Sequence, residues 1–330
     1  MRHLLLLILA ASPAPASAQS NVRPLPSAAL PPMHSTAATA GSSSSAGFDD
    51  LSGLPRPGEA RGFVEVEGIL WLDRPASLAG VGGEVSSQRG GWNAAIGREL
   101  SSGSLLSLRI ETEASFYKFS GASGLIPGSN APFNDLYRTS VGASWLSSRG
   151  EGLAGFIGGA VSLGGEDSAS VSDSFFGGAL AGFRYQSRTD VALSVGLQAQ
   201  SRLEDSAWVA PFLGLEIALT DDLRFALEGS RVSLEQRLSP AWRLRGEVNY
   251  ESRQFRLNSD NPLPRGVFRD ERIDAHGALV WRSRSGCELE LGLGTSLWRE
   301  YSFLDSSGSL AREVESDPAL SATLALRLVF

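Results

Sequence analysis

The clearest chemistry in the sequence is a set of charges placed at every second residue. Arg243, Arg245 and Glu247 alternate with apolar neighbours, and Asn249, Glu251 and Arg253 continue the same row. Arg272, Asp274 and His276 repeat the spacing further on, toward Arg282, and Glu288 with Glu290 repeat it again. Earlier in the chain Arg109, Glu111 and Glu113 form one such row, and Arg138 belongs to another. Opposed rows of guanidinium and carboxylate can line a water-filled conduit and set its ion selectivity. They can equally pair across a narrow lumen and close it.

His276 is the one histidine beyond residue 60, the others being His3 and His34. Asp274 lies two residues away on the same strand face, and a carboxylate beside an imidazole can orient it as a general base. The competing reading is a lumen histidine held in a polar network. It is favoured, because no nucleophile is marked and neither a His-X-Glu metal pattern nor a His-Ser-Asn cluster occurs. No catalytic residue, metal ligand or cofactor is therefore assigned, and a hydrolase using His276 is kept only as an alternative. Gly155, Gly158, Gly159, Gly164, Gly165, Gly177, Gly178 and Gly182 do not form a phosphate loop, since no strand-to-helix switch with a following Lys accompanies them. Strand glycines of this kind ease curvature or make room for large neighbours.

The elements that must position these charges have period two, which is the strand period. Leu106, Leu108, Ile110, Thr112, Ala114 and Phe116 fall on one face of a strand, with Arg109, Glu111 and Glu113 on the other. The same split recurs through Tyr137 to Trp145, Val191 to Ala199, Trp242 to Tyr250, Ile273 to Trp281, Cys287 to Leu297 and Leu320 to Phe330. No charge falls on any of these apolar faces. A soluble sandwich and a transmembrane barrel both produce this alternation, the first turning its apolar faces inward and the second toward lipid.

Composition narrows the choice. The net charge of −7 argues against a nucleic-acid partner, and the single Cys287 excludes a disulfide framework or a Cys-based zinc site. Beyond the N-terminus there is no apolar run of about 18 residues, which excludes a membrane helix. Glycine, 37 of 330 residues, stands above the usual level of about 7%. Arg2 and His3, the apolar stretch from Leu4 to Ala11 and the Ala16-Ser17-Ala18 site read as a signal peptide over 1–18, cleaved near Ala18. Residues 19–60, rich in Pro, Ser and Ala, read as a disordered periplasmic linker. The barrel is expected over 61–330.

Short turns near 101–103, 148–150, 188–190, 220–222, 239–241 and 283–286 alternate with longer loops near 73–90, 120–135, 164–173, 257–269 and 301–318. Trp71, Trp92, Trp208 and Trp298 fall at the loop ends of the strands, and Trp145, Trp242 and Trp281 at the turn ends, as interfacial girdles require. The chain ends on Leu326, Leu328 and Phe330, on one face of an amphipathic segment. This terminus resembles the last strand of Gram-negative outer-membrane β-barrel proteins, and the signal peptide and strand pattern extend the resemblance to the uncharacterised barrels of that class.

The resemblance implies an antiparallel transmembrane β-barrel in the cell outer membrane, surrounded by its lipid. It also implies that the barrel-assembly machinery reads Leu326, Leu328 and Phe330. Counting back from Phe330 gives strands at 318–330, 287–300, 270–282, 242–255, 232–238, 223–228, 208–219, 191–202, 175–187, 152–163, 136–147, 105–118, 92–99 and 62–71. Gly229-Ser230 decides the count: a hairpin there gives 14 strands, a kink gives 12. The functional expectation is a passive channel for small polar solutes or ions, with the inward charges as selectivity elements. The alternative is a non-conducting surface barrel.

Overall fold

The computed structural model describes residues 62–101, 104–126, 131–148, 152–188 and 191–330. The signal peptide and the linker expected over 1–60 lie outside the described residues.

The chain forms β1 (Phe63–Ser77), β2 (Glu84–Ser101), β3 (Ser104–Ser120), β4 (Leu136–Ser148), β5 (Leu153–Glu166), β6 (Phe175–Arg188), β7 (Val191–Arg202) and β8 (Asp205–Ala218). Next come β9 (Leu223–Glu228), β10 (Arg231–Arg237), β11 (Trp242–Arg256), β12 (Val267–Arg282), β13 (Cys287–Leu304), β14 (Leu310–Ser316) and β15 (Leu320–Val329). From β1 to β14 each strand pairs antiparallel with the next, and β15 pairs with β13 and with β1, from Glu65↔Val329 to Asp73↔Ser321, so the sheet closes on itself. β14 and β15 share the flank of β13: β15 takes Cys287 to Thr295 and β14 takes Arg299 to Leu304. The two are one wall position interrupted at Asp317-Pro318, and the result is a closed barrel of 14 wall strands. Gly229-Ser230 is a hairpin turn, with Gly229 at positive φ, which settles the count against 12.

Burial follows the alternation. Outward apolar side chains are widely exposed, Leu293 at 74% and Val209 at 68%, while inward Arg and Glu are buried. This distribution is inverted relative to a soluble sandwich and is that of a barrel facing lipid. Trp145 and the directly paired Trp242 and Trp281 lie on the outer face near the turn end.

Three expectations need correction. The segment 73–90 is mostly strand, because β1 runs to Ser77 and β2 begins at Glu84, leaving only a tight turn with Gly80, Gly82 and Gly83 at positive φ. Likewise 301–318 is not an open loop but the end of β13 and a hairpin to β14. Trp71 is no girdle residue: its parity turns it inward, where it is 4% exposed, and Trp208 shares the inward parity of Phe212.

Calling the end that holds Phe63 and Phe330 the lower end, the interior is filled in layers. Near the lower end Leu105, Leu146, Ala154, Phe156, Leu180 and Phe212 pack together with Phe63. At the upper end Leu125, Ile126 and Phe133 turn into the barrel and pack on Phe255, Phe268, Tyr301 and Phe303. The 257–266 loop adds Leu257 and Leu263 to the same cluster. The upper barrel is also pinched: Arg256 of β11 bridges in parallel to Gly165 of β5. A Cβ at Gly164 would stand 2.7 Å from the Gln254 carbonyl oxygen, so only glycine lets these backbones meet. The Glu166 carboxylate clasps the seam, accepting from the backbone N–H groups of Asn134 (2.7 Å) and Asn258 (2.9 Å) and from Asn261 Nδ2 (3.0 Å).

Candidate functional site: the charged layer of the lumen

Between the two apolar clusters the inward faces supply mainly charged side chains, with Trp71, Tyr117 and several hydroxyl groups among them. Arg253 on β11 reaches the opposite wall, donating to Glu113 Oε1 on β3 at 2.8 Å and to Tyr117 Oη at 2.8 Å. The nitrogen that reaches Tyr117, Nη2, also donates to Asp270 on β12, and Tyr117 donates to the same carboxylate. Arg89 on β2 donates across the lumen to Glu251 on β11 at 3.1 Å. These links join walls that are far apart around the barrel, so they bridge the lumen and do not merely decorate it.

Shorter links complete the layer. Arg299 holds Asp270 (Nη2, 2.9 Å) and Asp73 (Nη1, 2.9 Å), and Ser87 donates to the same Asp73 carboxylate. Arg272 contacts Glu251 (Nη2, 2.6 Å), Asp274 (Nε, 2.8 Å) and Asp73 (Nη1, 3.3 Å). The Trp71 ring lies between the guanidinium carbons of Arg89, 4.7 Å from its centroid, and Arg272, 4.8 Å, while its indole N–H donates to Asp73 at 2.6 Å. Arginine suits this layer because its planar fork contacts several carboxylates and an aromatic face at once. Arg253 and Asp270 are both 0% exposed, so solvent does not reach the layer at these two side chains.

A second charged tier lies below, on β1, β10, β11, β13 and β15. Arg245 pairs with Glu290 (2.9 Å) and Glu235 (3.2 Å), Arg243 with Glu288 (2.7 Å) and Glu235 (3.2 Å), and Arg327 with Glu65 (2.7 Å). These groups are less completely enclosed: Glu235 and Arg243 keep part of their side chains in contact with solvent.

Each charge proposed from the sequence can be located. Arg109 is inward and half-buried, Glu111 pairs with Arg138 (3.0 Å), and Arg138 also faces Glu113 at 3.8 Å. Glu247 faces Arg231 at 3.2 Å and lies opposite His276 in the ladder. His276 packs edge-on against Trp71, ring centroids 5.4 Å apart, and its Nδ1 is a buried atom without a hydrogen-bond partner. Asp274 gives one oxygen to Arg272, and its other oxygen is buried and unpartnered. No hydrogen bond between Asp274 and His276 is found among the described residues, so the geometry gives a general-base reading no support.

Sequence reasoning did not select Trp71, Asp73, Arg89, Tyr117, Asp270 and Arg299. Asp73 and Arg89 fell in the segment read as a loop. Arg299 was hidden by a bulge: the β12–β13 register shifts between Ile273 and Asp274, so Leu297 and Trp298 both face outward and parity restarts at Arg299. Tyr117 was legible, since it continues the inward row of Arg109, Glu111, Glu113 and Ser115.

No family model matches the sequence, and no curated protein matches it. Among solved structures, the chain is similar to an outer membrane channel from Pseudomonas putida F1, at 10% identity and TM-score 0.46 over 83% of this chain and 99% of that one. It is also similar to the Pseudomonas putida toluene transporter TodX, at 8% identity and TM-score 0.47 over 80% of this chain and 89% of that one. The KdgM porin aligns at 9% identity and TM-score 0.34 over 81% of this chain and 99% of that one. The fold rests on the strand pairing itself.

Proposed function

We propose that this chain is an outer-membrane barrel of the channel type, held closed by the Arg–carboxylate layer around Arg253 and Asp270. The observation that carries the reading is an inward wall that is charged over two tiers and bridged wall to wall at one of them. Buried ion pairs are a poor source of stability, because desolvation offsets most of their attraction and apolar side chains of like volume do as well or better. A barrel needing only a filled interior would gain nothing from so many guanidinium groups. A conduit for polar solutes or ions needs them, and exchange of cross-lumen pairs for water or solute would open it. Arg243, Arg245, Glu288 and Glu290 then act as the selectivity elements below the seal.

The complete burial of Arg253 and Asp270 favours a second reading, a non-conducting barrel. Planar-bilayer recording separates the two. The channel reading expects rare or small steps from the native protein, with cation-to-anion preference altered by Arg243→Glu and Arg245→Glu. A membrane that stays silent with native protein and with variants of the sealing layer supports the second reading.

The outer membrane as location is supported by the apolar exterior, the signal-peptide pattern and the outward Leu326 and Phe330 on the strand that closes the barrel. In this reading the assembly machinery recognises Leu326, Leu328 and Phe330. Phe330 also donates its backbone N–H to Val64 (2.9 Å), so its side chain and its ladder contact are separable by Phe330→Ala. That variant is expected to fold in detergent yet insert more slowly in cells.

A further inference from the structure

The wall is incomplete at one place. β9 and β10 have 6 and 7 residues, beside 14 in β8 and 15 in β11. β8 pairs with β9 only from Gly214 downward, and β11 pairs with β10 only as far up as Asn249. Above the Gly229-Ser230 turn, β8 and β11 therefore face each other, among the described residues, with no strand between them. In an antiparallel strand the backbone N–H and C=O of every second residue point to the same side. The Leu213 carbonyl accepts from Gly229 N at 3.0 Å, so Val209 and Pro211 point the same way, into the gap. Tyr250 N donates to Ser230 O at 3.1 Å, so Ser252 points into it from the other edge. Pro211 sits where a missing N–H costs no ladder bond, the edge position to which strand proline is confined.

At its base the gap spans three inter-strand spacings, roughly 14 Å. It closes at the top, where Leu203 N donates to Gln254 Oε1 at 3.0 Å and Arg256 pairs with Glu204 at 2.7 Å. The outer rim belongs to the apolar belt, with Val209, Leu213 and Leu197 on one side and Val248 on the other. Inward of the rim stand the half-buried Gln198, Gln200 and Trp208. An open sheet edge is not tolerated in hydrocarbon, because each unsatisfied backbone group there costs several kcal/mol. The gap is thus apolar at its mouth, amide-lined behind, and in need of hydrogen-bonding partners.

We propose that this gap is a lateral binding site for an acyl lipid that carries amide and hydroxyl groups. The polar groups satisfy the backbone at Val209 and Ser252, and the chain lies along Val209, Pro211, Leu213 and Val248. The site depends on the barrel lying in a membrane and is independent of whether the lumen conducts.

The test uses the full-length mature chain in dodecylphosphocholine micelles, whose hydrocarbon interior accepts no hydrogen bond, with N-palmitoylethanolamine as probe and hexadecane, which neither donates nor accepts, as the comparison. Residue-resolved amide exchange should find Val209 and Ser252 fast in micelles alone and at least tenfold slower with N-palmitoylethanolamine. Hexadecane should leave them unchanged. Ala210→Trp, which fills the inner side of the gap, should weaken N-palmitoylethanolamine binding at least tenfold. Leu293→Trp, on a fully paired stretch of wall, should not weaken it. Heat-modifiable gel migration shows which variants are folded, and should Ala210→Trp fail to fold, the exchange comparison decides alone. Equal protection by hexadecane, unchanged binding to folded Ala210→Trp, or amides already slow without probe, as when a second copy pairs with the edges, would overturn the proposal. A silent bilayer recording would sink the channel reading and leave these exchange results as they are.

Discussion

Arg253→Ala is the sharpest perturbation of the sealing layer. The change removes a fully buried guanidinium that serves Glu113, Asp270, Tyr117 and Ser115. Asp270 would keep Arg299, bound through Nε at 3.1 Å and Nη2 at 2.9 Å. Glu113 would keep a hydrogen bond from Ser115 and only a 3.8 Å approach from Arg138. Removing one partner of a buried pair costs roughly 3–5 kcal/mol, and the surviving contacts of Asp270 place this case near 3 kcal/mol. That is more than a hundredfold in the folded-to-unfolded ratio. Urea titration of the barrel in lipid vesicles, followed by tryptophan emission and heat-modifiable migration, measures it. The double variant Arg253→Met/Glu113→Gln removes both charges and should recover all but about 1 kcal/mol. By contrast Arg237→Ala, which breaks the solvent-exposed pair with Asp222, should cost less than about 1 kcal/mol. A loss below about 0.5 kcal/mol for Arg253→Ala, or a double variant no more stable than the single one, would refute the reasoning.

Other consequences follow from the same geometry. Gly164→Val forces β5 away from the Gln254 carbonyl and should cost about 1–3 kcal/mol, with faster amide exchange along the upper end of β11. Pro211→Ala should change stability by less than about 1 kcal/mol because its nitrogen faces the gap, whereas Leu215→Pro removes a ladder N–H toward β9 and should cost about 1–3 kcal/mol by urea titration. Leu293→Arg places a charge on the most exposed part of the apolar belt and should cost about 2–4 kcal/mol in vesicles. In the β13–β14 turn Asp305 accepts from Ser307 Oγ and from the backbone N–H groups of Ser307 and Ser309, which hold its carboxyl below the ordinary carboxylate range. Its stabilising effect on the turn is present above its unfolded pKa, about 3.9, and is lost as pH falls through the lowered folded value. Protection of the Ser307 and Ser309 amides should drop in that acid window, and Asp305→Ala should abolish the acid dependence.

Most of the barrel could be read in the sequence because a wall strand between lipid and a polar interior obeys parity at nearly every residue. The rows Arg243 to Arg253 and Arg272 to His276 turned inward for that reason, and the Gly229-Ser230 hairpin was foreseen as the point deciding the strand count. What parity cannot reveal is the place where it is reset. The bulge beside Leu297 returned Arg299 to the lumen, and only the fold shows that this arginine joins Asp73 to Asp270. Long loops were the other blind spot. Asp73 and Arg89 lie in strands that rise beyond the apolar belt, where the outward face is polar and the alternation fades, as at Arg74 and Ser86. Pairing across the lumen was also invisible, since nothing local in the neighbourhood of Glu113 specifies that a guanidinium of β11 will reach it. The sequence left open whether the charges line a pore or close it, and the contacts of Arg253 and Arg89 show that some of them pair from wall to wall across the lumen.

The central claim is that cross-lumen pairs seal a charged conduit. Single-channel recording in planar bilayers, comparing the native protein with Arg89→Ala/Arg253→Ala, tests it most directly. The account predicts sparse, small steps from the native barrel and frequent, larger ones from the variant, provided its heat-modifiable migration shows it folded. Equal conductance from the two, whether both silent or both open, would contradict it.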